Sequence, residues 1–448
     1  MRTYINVPEL RIRRYGWSAF AFVQILVVII IWLDKSNYYL SNPEDGNLLI
    51  AFGRLTGLLG ELALLMELVL IGRITHIEQA YGFDRMNKLH RWIGYSILIF
   101  LLAHPLFLSL GNAVKNEMSV LDQFINFIST TRDVFPAFVS VLLIAFVVAI
   151  SVPITRKKIR YEVWYFAHFL TYLAIGLAFQ HQINSGDVSK TTPLYYWLVL
   201  NFGIFGIMLA YRFVIPLWNS FHHKFRVAAV TMESKDVCSV YLTGVAIEDF
   251  KFKAGQYCNL TFLAKGMWYT HPFSFSAEPN GKYIRFTIKA LGDFTKMIPQ
   301  LVEGTRVIVD GPLGTFIEAR ASRQKLLLIG GGIGITPLRA LLGDIVQEKK
   351  RDVILLIGAR TVDDLVFVKE LEALQAIYPF QIRIVLSTPT PGYESGFIDK
   401  EKLVRLVPDF FDREVFLCGP PPMMAATVAN LKDLGLQGEF VHYENFAF

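Results

Sequence analysis

Six apolar stretches, all in the first half of the chain, decide what it can fold into. They lie at about 17–33, 48–71, 89–110, 135–152, 163–181 and 194–217. A run of this length crosses a bilayer core of about 30 Å as a helix. In lipid the backbone must satisfy its own hydrogen bonds, so an α-helical bundle is the expected form. Across its 448 residues the chain is 53% hydrophobic, with a mean hydropathy of +0.40. That is too apolar for an ordinary soluble protein. The first run follows the basic segment RIRR, but no small-residue cleavage site comes after it, so it reads as a span and not as a cleavable leader.

Two of these stretches carry histidines at nearly matched spacing. His90 and His104 are 14 positions apart; His168 and His181 are 13 apart. At about 1.5 Å of rise per residue, each pair covers roughly 20 Å of helix. Two facing helices could then hold two haems, one toward each side of the bilayer. Neutral imidazole is a common axial ligand of haem iron, and polar rings inside a membrane are usually functional. The match is imperfect. Fourteen residues return to within about 40° of the starting face, whereas thirteen miss it by about 140°. Either the second helix is wound more tightly somewhere, or His181 lies at an irregular end. The segment AFQHQINSG favours the irregular end.

Charge orients the bundle. Arg11, Arg13 and Arg14 precede span one; Arg73, Arg85 and Lys88 lie between spans two and three. Arg156, Lys157, Lys158 and Arg160 lie between four and five, and Lys224 and Arg226 follow six. The opposite loops hold only Lys35, then Lys115 and Arg132, then Lys190. The positive-inside rule predicts cytoplasmic termini, with His90 and His168 near the inner face and His104 and His181 near the outer. The net charge of +6 is largely this bias, and no nucleic acid partner is expected. Cys238, Cys258 and Cys418 are too few for a disulfide framework or a four-cysteine cluster.

After about residue 221 the texture changes. FRVAAVTM, CSVYLTGV, GQYCNLTFL, YIRFTIKA and TRVIVDG read as alternating strands of a small antiparallel barrel. From Lys325, the strands KLLLIGG, DVILLIG, QIRIVLS and REVFLCG alternate with helices, which predicts a parallel α/β domain. In GGGIGITPLRALL, Gly330, Gly331, Gly332 and Gly334 let a ligand approach the backbone. Thr336 is a good N-cap and Pro337 a good first helical residue, so the helix start suits a pyrophosphate.

HPFSFSAEP, IKALGDFT, VDGPLG and CGPPPMM follow one another in the order that resembles the ferredoxin–NADP reductase superfamily. With six spans and two histidine pairs in front, the chain resembles the transmembrane ferric reductases and NADPH oxidases from about residue 48 to the end. The resemblance implies a haem domain at 1–221, an FAD-binding β-barrel domain at 222–322 and an NAD(P)H-binding α/β domain at 323–448. It implies that His271, Pro272, Phe273 and Ser274 line the flavin, with Ser274 near N5. Lys289, Gly292 and Thr295 would meet the FAD pyrophosphate. Gly330, Gly331, Gly332, Gly334 and Thr336 would meet that of NAD(P)H, with Cys418 and Gly419 near the nicotinamide. Arg360 would meet the 2′-phosphate of NADPH, although Asp363 and Asp364 leave NADH open. Phe446 matches the family's flavin-covering aromatic, with Phe448 as the competing ring. His90, His104, His168 and His181 would bind the iron of two b-type haems. Arg54 would meet haem propionates or pair with Glu61, and Glu67 would line a polar cavity or snorkel.

Electrons would pass from NADPH through FAD and two haems to an outer acceptor, with oxygen favoured. A ferric chelate, an extracytoplasmic protein partner and, from another class, an ion or proton conduit are the rival readings. Some oxidases carry a further histidine where this chain has Leu108, which weakens the case for dedicated superoxide production. No calcium-binding loop precedes span one, so control by calcium is not expected.

Overall fold

The computed structural model describes residues 7–184, 187–189, 192–348 and 351–444. It divides into two compact units. One is built from Ile12–Ile77 and Arg85–Arg212, the other chiefly from Phe213–Phe448 with the short segment Glu78–Asp84.

Among the described residues, six helices are long and apolar enough to cross a membrane: Ile12–Ser41, Asn47–Ile71, Arg85–Lys115, Val134–Ser151, Tyr161–Asn184 and Thr192–His223. They match the six apolar runs and extend several of them. The bundle core draws Leu58, Leu62 and Leu65 from span two, Ile97 from span three and Trp197 and Ile204 from span six. Spans two and three pack closely because glycine faces the contact. A Cβ on Gly57 would sit 2.5 Å from His104 Nδ1, and one on Gly53 would sit 2.9 Å from the Leu108 side chain. An amphipathic helix, Val120–Thr130, lies between spans three and four and was not anticipated. At eleven residues it is too short to register as a span.

The fifth span corrects an expectation. Its irregularity is not at His181, which lies inside a regular helix, Leu170–Asn184. It is at Phe169, directly after His168, where the helix Tyr161–His168 ends. Phe169 N donates to Phe166 O (3.1 Å), Tyr172 N to Phe169 O (3.1 Å) and Thr171 Oγ1 to His168 O (2.7 Å). The two backbone i to i+3 bonds wind the chain more tightly than an α-helix. The extra rotation reduces the mismatch left by a spacing of thirteen.

The second unit begins with six strands: β1 (Arg226–Ser234), β2 (Val237–Thr243), β3 (Tyr257–Phe262), β4 (His271–Ser274), β5 (Ile284–Lys289) and β6 (Val307–Leu313). They form two antiparallel three-stranded sheets, β1-β2-β5 and β4-β3-β6. The bridges Arg226–Arg306 and Phe275–Phe286 join the sheets at two seams. Inward residues such as Val240, Leu260, Phe262, Phe275 and Phe286 fill the core.

The rest is a parallel sheet: β7 (Lys325–Gly331), β8 (Asp352–Ala359), β9 (Gln381–Leu386), β10 (Glu394–Ser395), β11 (Arg413–Cys418) and β12 (Val441–Tyr443). The spatial order is β10-β9-β8-β7-β11-β12. Central strands β7, β8 and β11 are covered on both faces, which explains their unbroken apolar runs. The order reverses between β7 and β11, and ligands of such sheets bind at that crevice.

Candidate redox-cofactor sites

The membrane unit brings the histidines together in the expected pairs. The ring centroids of His90 and His168 are 6.0 Å apart, and those of His104 and His181 are 6.2 Å apart. Two metal–nitrogen bonds of about 2 Å, plus about 1.1 Å from each nitrogen to its ring centre, add up to roughly 6 Å. The residues present therefore fit one iron between each pair.

What orients the rings differs between the helices. His104 Nδ1 donates to the Gly53 carbonyl at 2.8 Å, and His90 Nδ1 is bonded to Glu67. Such bonds fix the tautomer and leave Nε2 for a metal. Among the described residues, Nδ1 of His168 and of His181 has no partner. Glu67 thus neither lines a cavity alone nor snorkels; it holds a ring. Arg54 does not pair with Glu61, the candidate in its own helix. It is bonded to the buried Asp187 and lies over the Tyr39 ring, 5.1 Å from its centroid. Glu61 is also buried in the bundle. Asp187 is 133 positions from Arg54, and no local signal marks it.

In the second unit, β4 carries His271, Pro272, Phe273 and Ser274 in antiparallel register with β3, opposite Leu260, Asn259, Cys258 and Tyr257. Ser274 is buried, and the His271 ring lies 3.9 Å from that of Phe294. At the end of β5, Lys289 pairs with Asp236 at 3.3 Å. Gly292 has open space where a Cβ would be. The Thr295 hydroxyl accepts from Leu291 N and Gly292 N, both at 2.9 Å, so it shapes the turn. The exposed turn with open space at Gly292 and the β4 strand carrying Ser274 are features that fit a flavin nucleotide.

The glycine-rich turn and the CGPPP turn sit side by side, because Gly330 pairs with Cys418 in the β7–β11 register. A Cβ on Gly334 would lie 2.5 Å from the Cys418 carbonyl carbon and 2.6 Å from Gly419 Cα. Gly332 adopts φ +52, with nothing within 4 Å of its Cβ direction. The helix begins at Ile335, two residues before Pro337, the first helical residue implied by a Thr336 N-cap. Thr336 instead sits in the first turn, with its hydroxyl donating to Ile333 O at 3.0 Å. A short 3-10 turn, Gly332–Gly334, feeds the helix directly and removes the need for a side-chain cap. Cys418 is buried, and burial, with the nearby Glu444 carboxylate, pushes its thiol well above the usual range. It is therefore a neutral small side chain at the crevice. Glu444 is itself buried, and no sequence signal singled it out. Phe446 and Phe448 lie outside the described residues.

Arg360 directly follows β8, with a side chain 75% exposed. Its contacts to Asp364 are long, 3.4 and 3.5 Å. Asp364 is already engaged by Thr361 N (3.2 Å) and Thr361 Oγ1 (2.9 Å). The guanidinium is thus accessible to a phosphate.

Comparison with known proteins agrees with this organisation. Residues 56–179 match a ferric reductase-like transmembrane component, 222–316 an FAD-binding domain and 328–429 an oxidoreductase NAD-binding domain. This is the ferric reductase/NADPH oxidase-type architecture. The chain thus combines a ferric reductase-like transmembrane component with an FAD-binding and an NAD-binding domain. Among curated relatives, a glycine betaine monooxygenase reductase subunit from Chromohalobacter salexigens is 30% identical over 241 residues, 51% of this chain and 65% of that protein. A flavohemoprotein of Oceanobacillus iheyensis is 28% identical, over 51% of this chain and 60% of that protein. The chain thus spans under two-thirds of the length of these relatives. A solved Amycolatopsis cytochrome P450 reductase is 28% identical, with TM-score 0.45, over 50% of this chain and 68% of that one.

Proposed function

We propose that this oxidoreductase takes electrons from NADPH and passes them through FAD and two b-type haems to oxygen on the far side of the membrane. The observation that carries this is the pair of histidine separations, 6.0 and 6.2 Å, each with room for one iron. When bound, the flavin accepts a hydride and releases its electrons singly, and each haem iron carries one at a time. The protein's part is to hold and orient. Glu67 and the Gly53 carbonyl fix the rings of His90 and His104. Ser274 supplies a buried hydroxyl at the flavin edge, and Cys418 a neutral, small surface for the nicotinamide. The lysine- and arginine-rich loops support a cytoplasmic flavin and nucleotide module.

The accessible Arg360 supports NADPH over NADH. Arg360→Ala is expected to raise KM for NADPH more than for NADH. A lost charge-assisted contact costs about 1.5–3 kcal/mol, or roughly 10- to 150-fold. Initial rates with both nucleotides check this, and unchanged discrimination rejects the role.

Reduction of a ferric chelate is the second reading. It is favoured by Leu108, which packs beside Gly53 where a further polar group could serve oxygen chemistry. The deciding experiment reduces the purified protein with NADPH under argon, then adds oxygen or a ferric chelate and follows the haem absorption bands. Prompt reoxidation by oxygen supports the oxidase. Reoxidation by the chelate alone transfers the role to metal reduction.

A further inference from the structure

The flavin barrel and the nucleotide domain are joined by four charged side chains to which the sequence motifs assign no role. The barrel contributes Arg285 from β5 and Glu278 from the β4–β5 connection. The nucleotide domain contributes Arg339 from the helix Ile335–Glu348 and Glu370 from the helix Val368–Ile377. Arg285 donates through Nη1 and Nη2 to both carboxylate oxygens of Glu370, at 3.0 and 3.2 Å. Arg339 donates through Nε to Glu370 Oε1 at 2.7 Å and is paired with Glu278. Each domain therefore gives one cation and one anion, and each cation reaches across to the other domain's anion. Both guanidinium side chains are buried, 5% and 6% exposed, while Glu278 and Glu370 keep a solvent edge at 18% and 30%.

The surroundings make this arrangement specific. Gly343 leaves room for it: a Cβ there would stand 2.6 Å from Arg339 Nη1 and 2.8 Å from Glu278 Cδ. Arg285 also lies over the Phe367 ring, 4.8 Å from its centroid. The network runs into both candidate cofactor elements. Arg285 Nη2 donates to Ser276 O at 2.6 Å and Nε to Ser276 Oγ at 3.1 Å. Ser276 is two residues beyond Ser274 in the same extended segment. Arg339 is one turn beyond Ile335, where the helix emerges from the glycine-rich turn.

We infer that Arg285, Glu370, Arg339 and Glu278 form a reciprocal ion-pair latch that sets the register of the nucleotide turn against the flavin edge. They are positioning residues for hydride transfer. The physical case rests on geometry and dielectric. Buried charges must be paired, and a bidentate guanidinium–carboxylate contact fixes orientation as well as distance. Two crossed contacts fix a plane, where apolar contact alone would allow sliding.

This rests on the reading that NAD(P)H reduces a flavin held by β4. The test uses the full-length protein in detergent, comparing wild type with Glu278→Gln, Glu370→Gln and the double variant. Four quantities are measured: FAD content, amide hydrogen exchange in Ile284–Lys289 and Ile335–Glu348, the NADP+ dissociation constant by calorimetry, and the rate of flavin bleaching by saturating NADPH without oxygen. The double variant is expected to exchange faster in both segments and to bleach about 10- to 100-fold more slowly, since a misplacement of about 1 Å costs this much. Its FAD content and NADP+ affinity should stay within about twofold of wild type. Wild-type exchange and bleaching in the variants would overturn the latch. If the double variant does not hold FAD, Glu278→Gln alone decides on the same criteria. Failure of the wild type itself to bleach would instead overturn the reading of the site.

Discussion

Replacing His104 by Leu is expected to remove one of two haems, taking the haem-to-protein ratio from about two to about one. The ring is held by the Gly53 carbonyl at 2.8 Å and meets His181 at 6.2 Å between centroids. Leucine fills the volume but offers no nitrogen, so only His181 of the pair would remain to hold an iron. The same loss is expected on replacing His181, and loss of the other haem on replacing His90 or His168. FAD content should be unchanged, because the barrel has its own core. Haem is counted by absorption of the denatured pyridine complex, and FAD by fluorescence after release. Two haems per chain in all four variants would sink the assignment. Glu67→Gln refines it. That side chain orients His90 without touching the iron, so haem should remain bound while its affinity falls about 10- to 100-fold.

The second large effect is expected at Gly334. Alanine there would put a methyl group 2.5 Å from the Cys418 carbonyl carbon and 2.6 Å from Gly419 Cα. Both are backbone atoms, so no side-chain rotation relieves the overlap, and the two turns at the crevice must separate. Overpacking of this kind costs about 1–3 kcal/mol, which predicts NADP+ binding weakened roughly 5- to 150-fold while FAD stays bound. Gly332→Ala serves as the comparison. That residue has φ +52 but open space around it, so it carries only the left-handed penalty of about 1–2 kcal/mol. Calorimetric titration with NADP+ on both variants distinguishes them. Wild-type affinity in Gly334→Ala would mean that the paired turns do not form the nucleotide site.

Much of this molecule was legible in the one-dimensional pattern because the dominant forces are local in sequence. Lipid demands continuous apolar runs, and those runs placed the six spans. Strand alternation over about 222–313 and unbroken apolar runs after Lys325 separated a barrel from a buried parallel sheet, since burial on one face or on two leaves different periods. Matched histidines marked their own partners because a ligand pair must lie at one depth on two helices. Glycine and proline clusters marked turns because few other residues tolerate close backbone approach.

What the sequence did not reveal depends on atoms brought together from distant positions. Of the two ways to absorb a spacing of thirteen, the sequence favours an irregular end at His181 whereas the structure winds more tightly at Phe169, because helical phase gives a total rotation, not where it is gained. The Thr336 cap was misread because a preceding 3-10 turn changes which residue begins the helix. The edge strands β10 and β12, two and three residues long, carry no usable period. Asp187 as the partner of Arg54, Glu67 as the holder of His90, and the crossed pairs of Arg285 and Arg339 have no sequence signature. A charged residue in a polar stretch looks the same whether it meets water or a counter-charge. Pattern specified which segments enter the core, because hydrophobic burial is a property of each segment alone. Only the tertiary structure decided which charges meet, because pairing is a property of two places in space.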